Sequence, residues 1–233
     1  SAINTVSPKF LEEIVQSRHP FVEKTIVREF GQKLKSGMAA GVLNSPDPSY
    51  NPATDPALVR NFDSNSFIQG KAKNKQMLQH RLGLVEDPNA PIFFWPSRLD
   101  PVQKGCALLE EIFTQVISKY SRDRLQIVIV ANGPYQAKFH EIVRKYDLHR
   151  RVSICDFGEN LSHLGYAASE FIIMPSSFEP CGLPQMIGPK YATLPVAHDT
   201  GGIHDTVRQL QVSKNSGNGF LFEVHDAMGL AWA

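Results

Sequence analysis

The chain has 233 residues, 42% of them hydrophobic and 20% charged, and its 24 Lys and Arg nearly balance 23 Asp and Glu for a net charge of +1. That apolar share excludes wholesale disorder, and so even a charge balance argues against a chain that mainly holds nucleic acid or anionic lipid. No run approaches the roughly 18 uninterrupted apolar residues of a membrane-spanning helix. At about 150 residues per domain the length suits one domain, or one and a half. Cys106, Cys155 and Cys181 are scattered, with no CxxC spacing; this is the usage of a reducing compartment, neither a disulfide framework nor a zinc site. Ser1 stands in place of Met, the first twenty residues lack signal-peptide grading, and Ala231-Trp232-Ala233 carries no helix stop, so both ends are expected to continue into something longer.

In chain order, residues 9–18 suit a helix with Phe10, Leu11, Ile14 and Val15 on one face. Residues 41–65 carry Pro46, Pro48, Pro52 and Pro56 among Ser, Asn and Asp, which favours extended chain and turns. Residues 67–82 read as a helix with Phe67, Ile68, Met77, Leu78 and Leu82 on the apolar side and Lys71, Lys73 and Lys75 on a solvated face. From residue 91 the pattern changes. Short apolar runs (Ile92–Trp95, Leu125–Val130, Val152–Cys155, Phe171–Met174, Leu194–Ala197) alternate with amphipathic stretches such as Leu108–Tyr120 and Phe139–Tyr146. Continuous runs of that length fit strands covered on both faces. Strand and helix in strict alternation imply an α/β fold, an open, doubly wound, mostly parallel sheet of Rossmann-like type. The Rossmann-like domain is therefore expected over 91–233, preceded by a Pro-rich linker and helix over 41–90.

No GxGxxG follows a strand, and GxxxxGK[ST], HExxH, paired CxxC and Asp-x-Asp are all absent, so the common dinucleotide, P-loop and metal signatures have no candidates. A sheet of this type binds ligands at the carboxyl ends of its strands. Three loops there carry chemistry. After the first run, Arg98 and Lys104 flank the start of a helix, where two cations and free N–H groups suit an anion. After the fourth, Glu179 precedes Pro180-Cys181-Gly182, where a carboxylate can accept from sugar hydroxyls and free amides can donate to them. After the fifth, Thr200-Gly201-Gly202 opens another helix and lets backbone approach a ligand closely. Each alone is as well read as surface charge or a cap; three on one sheet edge are stronger together.

These motifs resemble the bacterial glycogen synthase and plant starch synthase family. Ser97-Arg98-Leu99 with Gln103-Lys104-Gly105, Phe178-Glu-Pro-Cys-Gly-Leu183 with Gln185, and Thr200-Gly-Gly-Ile-x-Asp-Thr-Val207 carry the likeness. Asn4-Thr-Val-Ser-Pro8, Gly41-Val-Leu-Asn44, Asn51-Pro-Ala-Thr-Asp55 and Gly219-Phe220 extend it over nearly the whole chain. The resemblance implies the C-terminal, nucleotide-sugar-binding domain of a two-domain GT-B glycosyltransferase, moving glucose from ADP-glucose, sometimes UDP-glucose, to the non-reducing end of an α-1,4-glucan with retained configuration. It implies no metal and no cofactor beyond the nucleotide-sugar donor. Its partners would be the glucan acceptor and an N-terminal domain, of which residues 1–40 would be the tail, with no nucleic acid and no membrane, in the cytoplasm or, in a plant, the plastid. By the same resemblance Arg98 and Lys104 hold the diphosphate, and Glu179 the donor. The backbone at Cys181, Gly182 and Leu183 meets glucose hydroxyls, Thr200, Gly201 and Gly202 line the phosphate end, and Phe157 stacks near adenine. Cys181 has no neighbouring base to make it a nucleophile.

Departures temper that likeness. The family's Lys-x-Gly-Gly-Leu loop is absent, the hinge reads Asn44-Ser45-Pro46-Asp47, Ile187 stands for a frequent Tyr, and His198-Asp199 stand where basic residues often precede Thr-Gly-Gly. Asp199 is expected to set a negative charge near the phosphates. Two rival readings stay open: a diverged binding module without catalysis, and another retaining GT-B enzyme such as a sucrose or trehalose synthase.

Overall fold

A computed structural model of the chain describes residues 1–122 and 124–233. Its first 41 residues form a short parallel strand pair, β1 (Ile3–Thr5) and β2 (Ala39–Gly41), connected through α1 (Pro8–Val15) and α2 (Lys24–Lys35). The Ser7 hydroxyl accepts from the Phe10 N–H at 2.9 Å and Pro8 fills the first helical position, so α1 begins where a capping side chain and a donor-free residue coincide. Leu11 and Ile14 are buried, whereas no residue of α2 is.

The sheet proper holds β3 (Ile92–Pro96), β4 (Gln126–Val130), β5 (Val152–Cys155), β6 (Phe171–Met174), β7 (Leu194–His198) and β8 (Phe220–Phe222). All neighbours are parallel, in the order β5-β4-β3-β6-β7-β8. Successive side chains leave opposite faces of a strand. Phe94, Val128 and Ile172 therefore join one core with α3 (Phe67–Arg81) and α6 (Glu159–Ala168). Trp95, Ile127 and Ile173 join the other, with α4 (Cys106–Lys119), α5 (Gln136–Lys145) and α9 (Ala227–Trp232). Coverage on both faces is why the runs are continuous rather than alternating. Between β3 and β6 the winding reverses, and that switch point opens a crevice at the strands' carboxyl ends. Two short helices start there, α7 (Pro184–Ile187) and α8 (Gly201–Thr206). No helix among the described residues is long and apolar enough to cross a membrane.

Three features of the packing stand apart from the sequence pattern. Leu58, Phe62, Leu78 and Leu84 belong to the same core as Ile92 and Phe94, so the stretch before β3 packs against the sheet. In residues 1–40, α1 packs on α8, and the Ser7 hydroxyl and the Lys9 N–H both donate to the Asp205 carboxylate. In α3, Leu78 is buried and Lys73 exposed as expected, but the rest of the expected pattern needs correction. Lys71 and Lys75 are buried, while Ile68 is 69% exposed and Phe67 and Met77 are well exposed. The Lys71 ammonium reaches the carbonyls of Ala167, Ser169 and Tyr191 and the Thr193 hydroxyl at 2.6–3.3 Å. Lys75 pairs with Glu170 at 2.7 Å and donates to the Ala90 carbonyl. Burial pulls the Lys71 pKa down to about 7, and the free carbonyls and negative end of α6 supply its partners where the sequence pattern consigns it to water.

Candidate functional site

A cleft of about 670 Å³ opens at the switch point, lined by the ends of β3 and β6, the starts of α6 and α7, and Tyr50. Its cationic wall is the loop after β3. There the Asp100 carboxylate accepts from the N–H groups of Val102 and Gln103 at 2.9 and 2.8 Å, and these bonds above all hold its pKa below the usual carboxylate value. The turn this makes brings Lys104 inward. Gly105 follows with φ +65°, and a Cβ there would lie 1.9 Å from the Pro175 carbonyl oxygen, so only glycine lets the β3 and β6 loops touch. Ser177 N–H and hydroxyl bond to carbonyls of Gln103 and Val102, and Gln103 Nε2 donates to the Phe178 carbonyl. The two loops are stitched into one unit.

On that unit Lys104 Nζ lies 2.6 Å from Glu179 Oε2, which also accepts from the Ser176 hydroxyl at 3.0 Å. Both charged side chains are mostly buried. Arg98 is exposed at the mouth, its nearest polar partner being Gln103 Oε1 at 3.5 Å. Gly182 (φ +71°) and Leu183 form the opposite lip. Phe157, 60% exposed, closes the far rim, its N–H donating to Asn132 Oδ1 at 2.8 Å. Six residues singled out from the sequence thus meet around one cleft: Arg98, Lys104, Glu179, Phe157, Gly182 and Leu183. Cys181 is buried behind the lip, where desolvation pushes its thiol pKa up, so it stays protonated.

Thr200, Gly201 and Gly202 sit behind the residues that line the cleft, and three of their donors are engaged. The Gly201 N–H and Thr200 hydroxyl donate to the Glu13 carboxylate, and the Gly202 N–H donates to the Glu179 carbonyl at 2.9 Å. Helix α8 therefore backs the Glu179 loop instead of facing a ligand. Asp199 also turns aside, pairing with His204 Nδ1 at 2.8 Å, so its charge is absent from the cleft wall.

Sequence reasoning missed the floor. Tyr50 and Tyr166 line it together with Ile187, and the Tyr50 ring stacks on His163 with centroids 4.4 Å apart at 14°. Asp55, buried, accepts from the His163 ring at 2.7 Å and the Tyr191 hydroxyl at 2.6 Å. The motif Asn51-Pro-Ala-Thr-Asp55 was the available signal: its carboxylate anchors the histidine on which the cleft tyrosine lies.

The family model for "Glycosyl transferases group 1" matches residues 90–233. A glycogen synthase of Bacillus cereus is 35% identical over 97% of this chain and 46% of its own length. One from Clostridium botulinum is 38% identical over 97% and 45%. Among solved structures, the catalytic domain of Starch Synthase IV from Arabidopsis thaliana bound to ADP and acarbose superposes with a TM-score of 0.86 at 33% identity, covering 100% of this chain and 47% of that one. The chain spans about half the length of the curated relatives it matches. With the sheet order, the switch-point cleft and a family match over more than half its residues in agreement, the chain belongs to the group 1 glycosyl transferases.

Proposed function

We propose that this chain is the nucleotide-sugar-binding half of a glycogen- or starch-synthase-like enzyme that transfers glucose from ADP-glucose to the non-reducing end of an α-1,4-glucan with retained configuration. The observation that carries it is the convergence of Arg98, Lys104 and Glu179 on the switch-point cleft. Negative charge builds on the diphosphate as the glycosidic bond breaks, and cations already in place stabilise it most at that point. Arg98 and Lys104 supply that charge in this reading, without a metal ion. Lys104 exchanges the Glu179 carboxylate for phosphate, and Glu179, released on one side, accepts from sugar hydroxyls while amides of Gly182 and Leu183 donate. Phe157 and the tyrosine floor take the base. The ADP in the starch synthase relative supports an adenine nucleotide. Asp199 faces His204 and is not among the residues lining the cleft, so it does not speak against phosphate binding there. Glucan acceptor and the domain that presents it belong to the rest of such an enzyme.

Calorimetric titration of ADP tests this. Losing one charge-assisted hydrogen bond costs about 1.5–3 kcal/mol, so Arg98→Ala and Lys104→Ala should each weaken ADP binding roughly tenfold to a hundredfold. Unchanged affinity in both variants overturns the assignment.

A further inference from the structure

Glu13 sits outside the cleft, yet it is 2% exposed and spends both carboxylate oxygens on the start of α8. Oε1 accepts from the Gly201 N–H at 3.0 Å and the Thr200 hydroxyl at 3.2 Å, and Oε2 lies 3.1 Å from His19 Nε2. Thr200 is the N-cap residue of α8 but makes no capping bond to its own helix. Its hydroxyl points instead to a carboxylate 187 residues earlier in the chain. A local Ser, Thr or Asp cap would serve a six-residue helix at far less desolvation cost than a buried carboxylate. The arrangement makes sense as a tie between α1 and what α8 supports.

What α8 supports is the sugar end of the proposed site. A Cβ on Gly201 would lie 2.1 Å from the Glu179 carbonyl oxygen, and one on Gly202 would lie 2.0 Å from that of Cys181. The Gly202 N–H donates to the Glu179 carbonyl at 2.9 Å. The backbone of Glu179–Cys181 therefore rests directly on Thr200–Gly202. From the other side, Phe21 packs on Phe178 with centroids 4.4 Å apart, and the His19 ring lies between Phe10, Phe21 and Phe178. Segment 7–21 holds the Glu179 loop at two points.

We infer that Glu13 is a positioning residue: through Thr200, Gly201 and Gly202 it fixes where Glu179, Gly182 and Leu183 meet the transferred sugar. This rests on reading the cleft as a nucleotide-sugar site. Arg98 and the base-binding rim are on other loops, and Lys104 sits on the β3 loop, whose turn is set by Asp100, so the sugar should feel the loss of Glu13 far more than the nucleotide does.

The test is titration of ADP and of ADP-glucose, separately, into the unmodified chain, Glu13→Ala and Glu13→Gln. Glu13→Ala should weaken ADP-glucose about tenfold, the order of one lost bond to a charged group, with ADP held within about twofold. Glu13→Gln keeps an oxygen for the Gly201 N–H and should recover most of the loss. Ser7→Ala, which cuts the other tie of α1 at Asp205, serves as the structural control: a lower melting temperature with the ratio of the two affinities unmoved. Should Glu13→Ala fail to fold, Thr200→Val removes one donor to the carboxylate at nearly constant shape and should shift the same ratio by about threefold. Equal losses for ADP and ADP-glucose, or no loss for either, overturn the inference alone. An unmodified chain that binds neither ligand overturns the nucleotide-sugar reading and this inference with it.

Discussion

Arg98 and Lys104 are two cations on one loop of the sequence, but their surroundings divide their roles. Arg98 stands in solvent at the cleft mouth, and removing it takes away little that the folded chain relies on. Lys104 is the ionic partner of Glu179, whose carboxylate is mostly buried and would keep the Ser176 hydroxyl as its remaining side-chain partner. In urea unfolding, Arg98→Ala should leave stability within about 0.5 kcal/mol, while Lys104→Ala should cost about 1–3 kcal/mol for the carboxylate left behind. Equal effects would mean that the pair contributes nothing to the fold. His198 adds a pH dependence to the same loop. Its Nδ1–H donates to the Ser176 carbonyl at 2.8 Å, and the His225 ring lies 4.7 Å away. Burial above all, with His225 adding to it, holds the His198 pKa below the ordinary 6.5. The unfolded chain then binds the proton more readily, so the contribution of His198 is fully present above about pH 6.5 and is lost as pH falls through the lower, folded value. His198→Gln retains an N–H for the carbonyl and cannot titrate. Unfolding free energies at pH 7 and pH 5 should differ more for the unmodified chain than for this variant; parallel losses would remove His198 from the account.

Among the elements, α3 is tied to the domain by polar groups as much as by apolar ones. Its buried face runs Gly70, Lys71, Asn74, Lys75, Leu78 and Gln79. Gln79 bridges the Asp87 carbonyl and Gln126 Oε1, and Asn74 Oδ1 accepts from the Val59 N–H. Replacing Lys71 by Met keeps bulk and removes the donor from four buried oxygens, three of them main-chain carbonyls. A cost of about 3 kcal/mol or more is expected, read as a lower urea midpoint at unchanged slope. A midpoint within error of the unmodified chain would show that these carbonyls find other partners. The same helix marks where sequence reading stops. The strands from β3 to β7 were legible because burial on both faces imprints an uninterrupted apolar run, and each lies within two residues of its expected position. The burial of Lys71 was not, because its partners lie 96 to 122 residues further along the chain and are mostly backbone, which leaves no side-chain signature. The tie at Thr200 and Gly201 is hidden for the same reason. Their loop is at the expected edge of the sheet, but the partner of these two donors is a carboxylate on α1.

At the scale of the whole molecule, the proposed function makes the cleft one side of a site. Its floor and cationic wall are fixed by packing, yet Arg98, Phe157 and Leu183 stand at its rim with much of their surface in water. Glycosyl transfer needs more than a held donor. The acceptor hydroxyl must lie in line with the anomeric carbon, and water, a competing acceptor, must be kept out. Closure of a second body over the rim is the usual means of meeting both demands, and this chain spans about half the length of its glycogen synthase relatives. The isolated chain is therefore expected to bind ADP and ADP-glucose weakly and to transfer no glucose, whereas the same chain joined to the remaining half of such an enzyme should do both. Incorporation of radiolabelled glucose into glycogen, measured on the two proteins side by side, separates the outcomes. Transfer by the isolated chain would refute the half-site argument, since acceptor alignment would then be complete within residues 1–233. A joined protein that binds ADP-glucose and never transfers would instead favour a nucleotide-binding module, with Arg98, Lys104 and Glu179 retained for recognition alone.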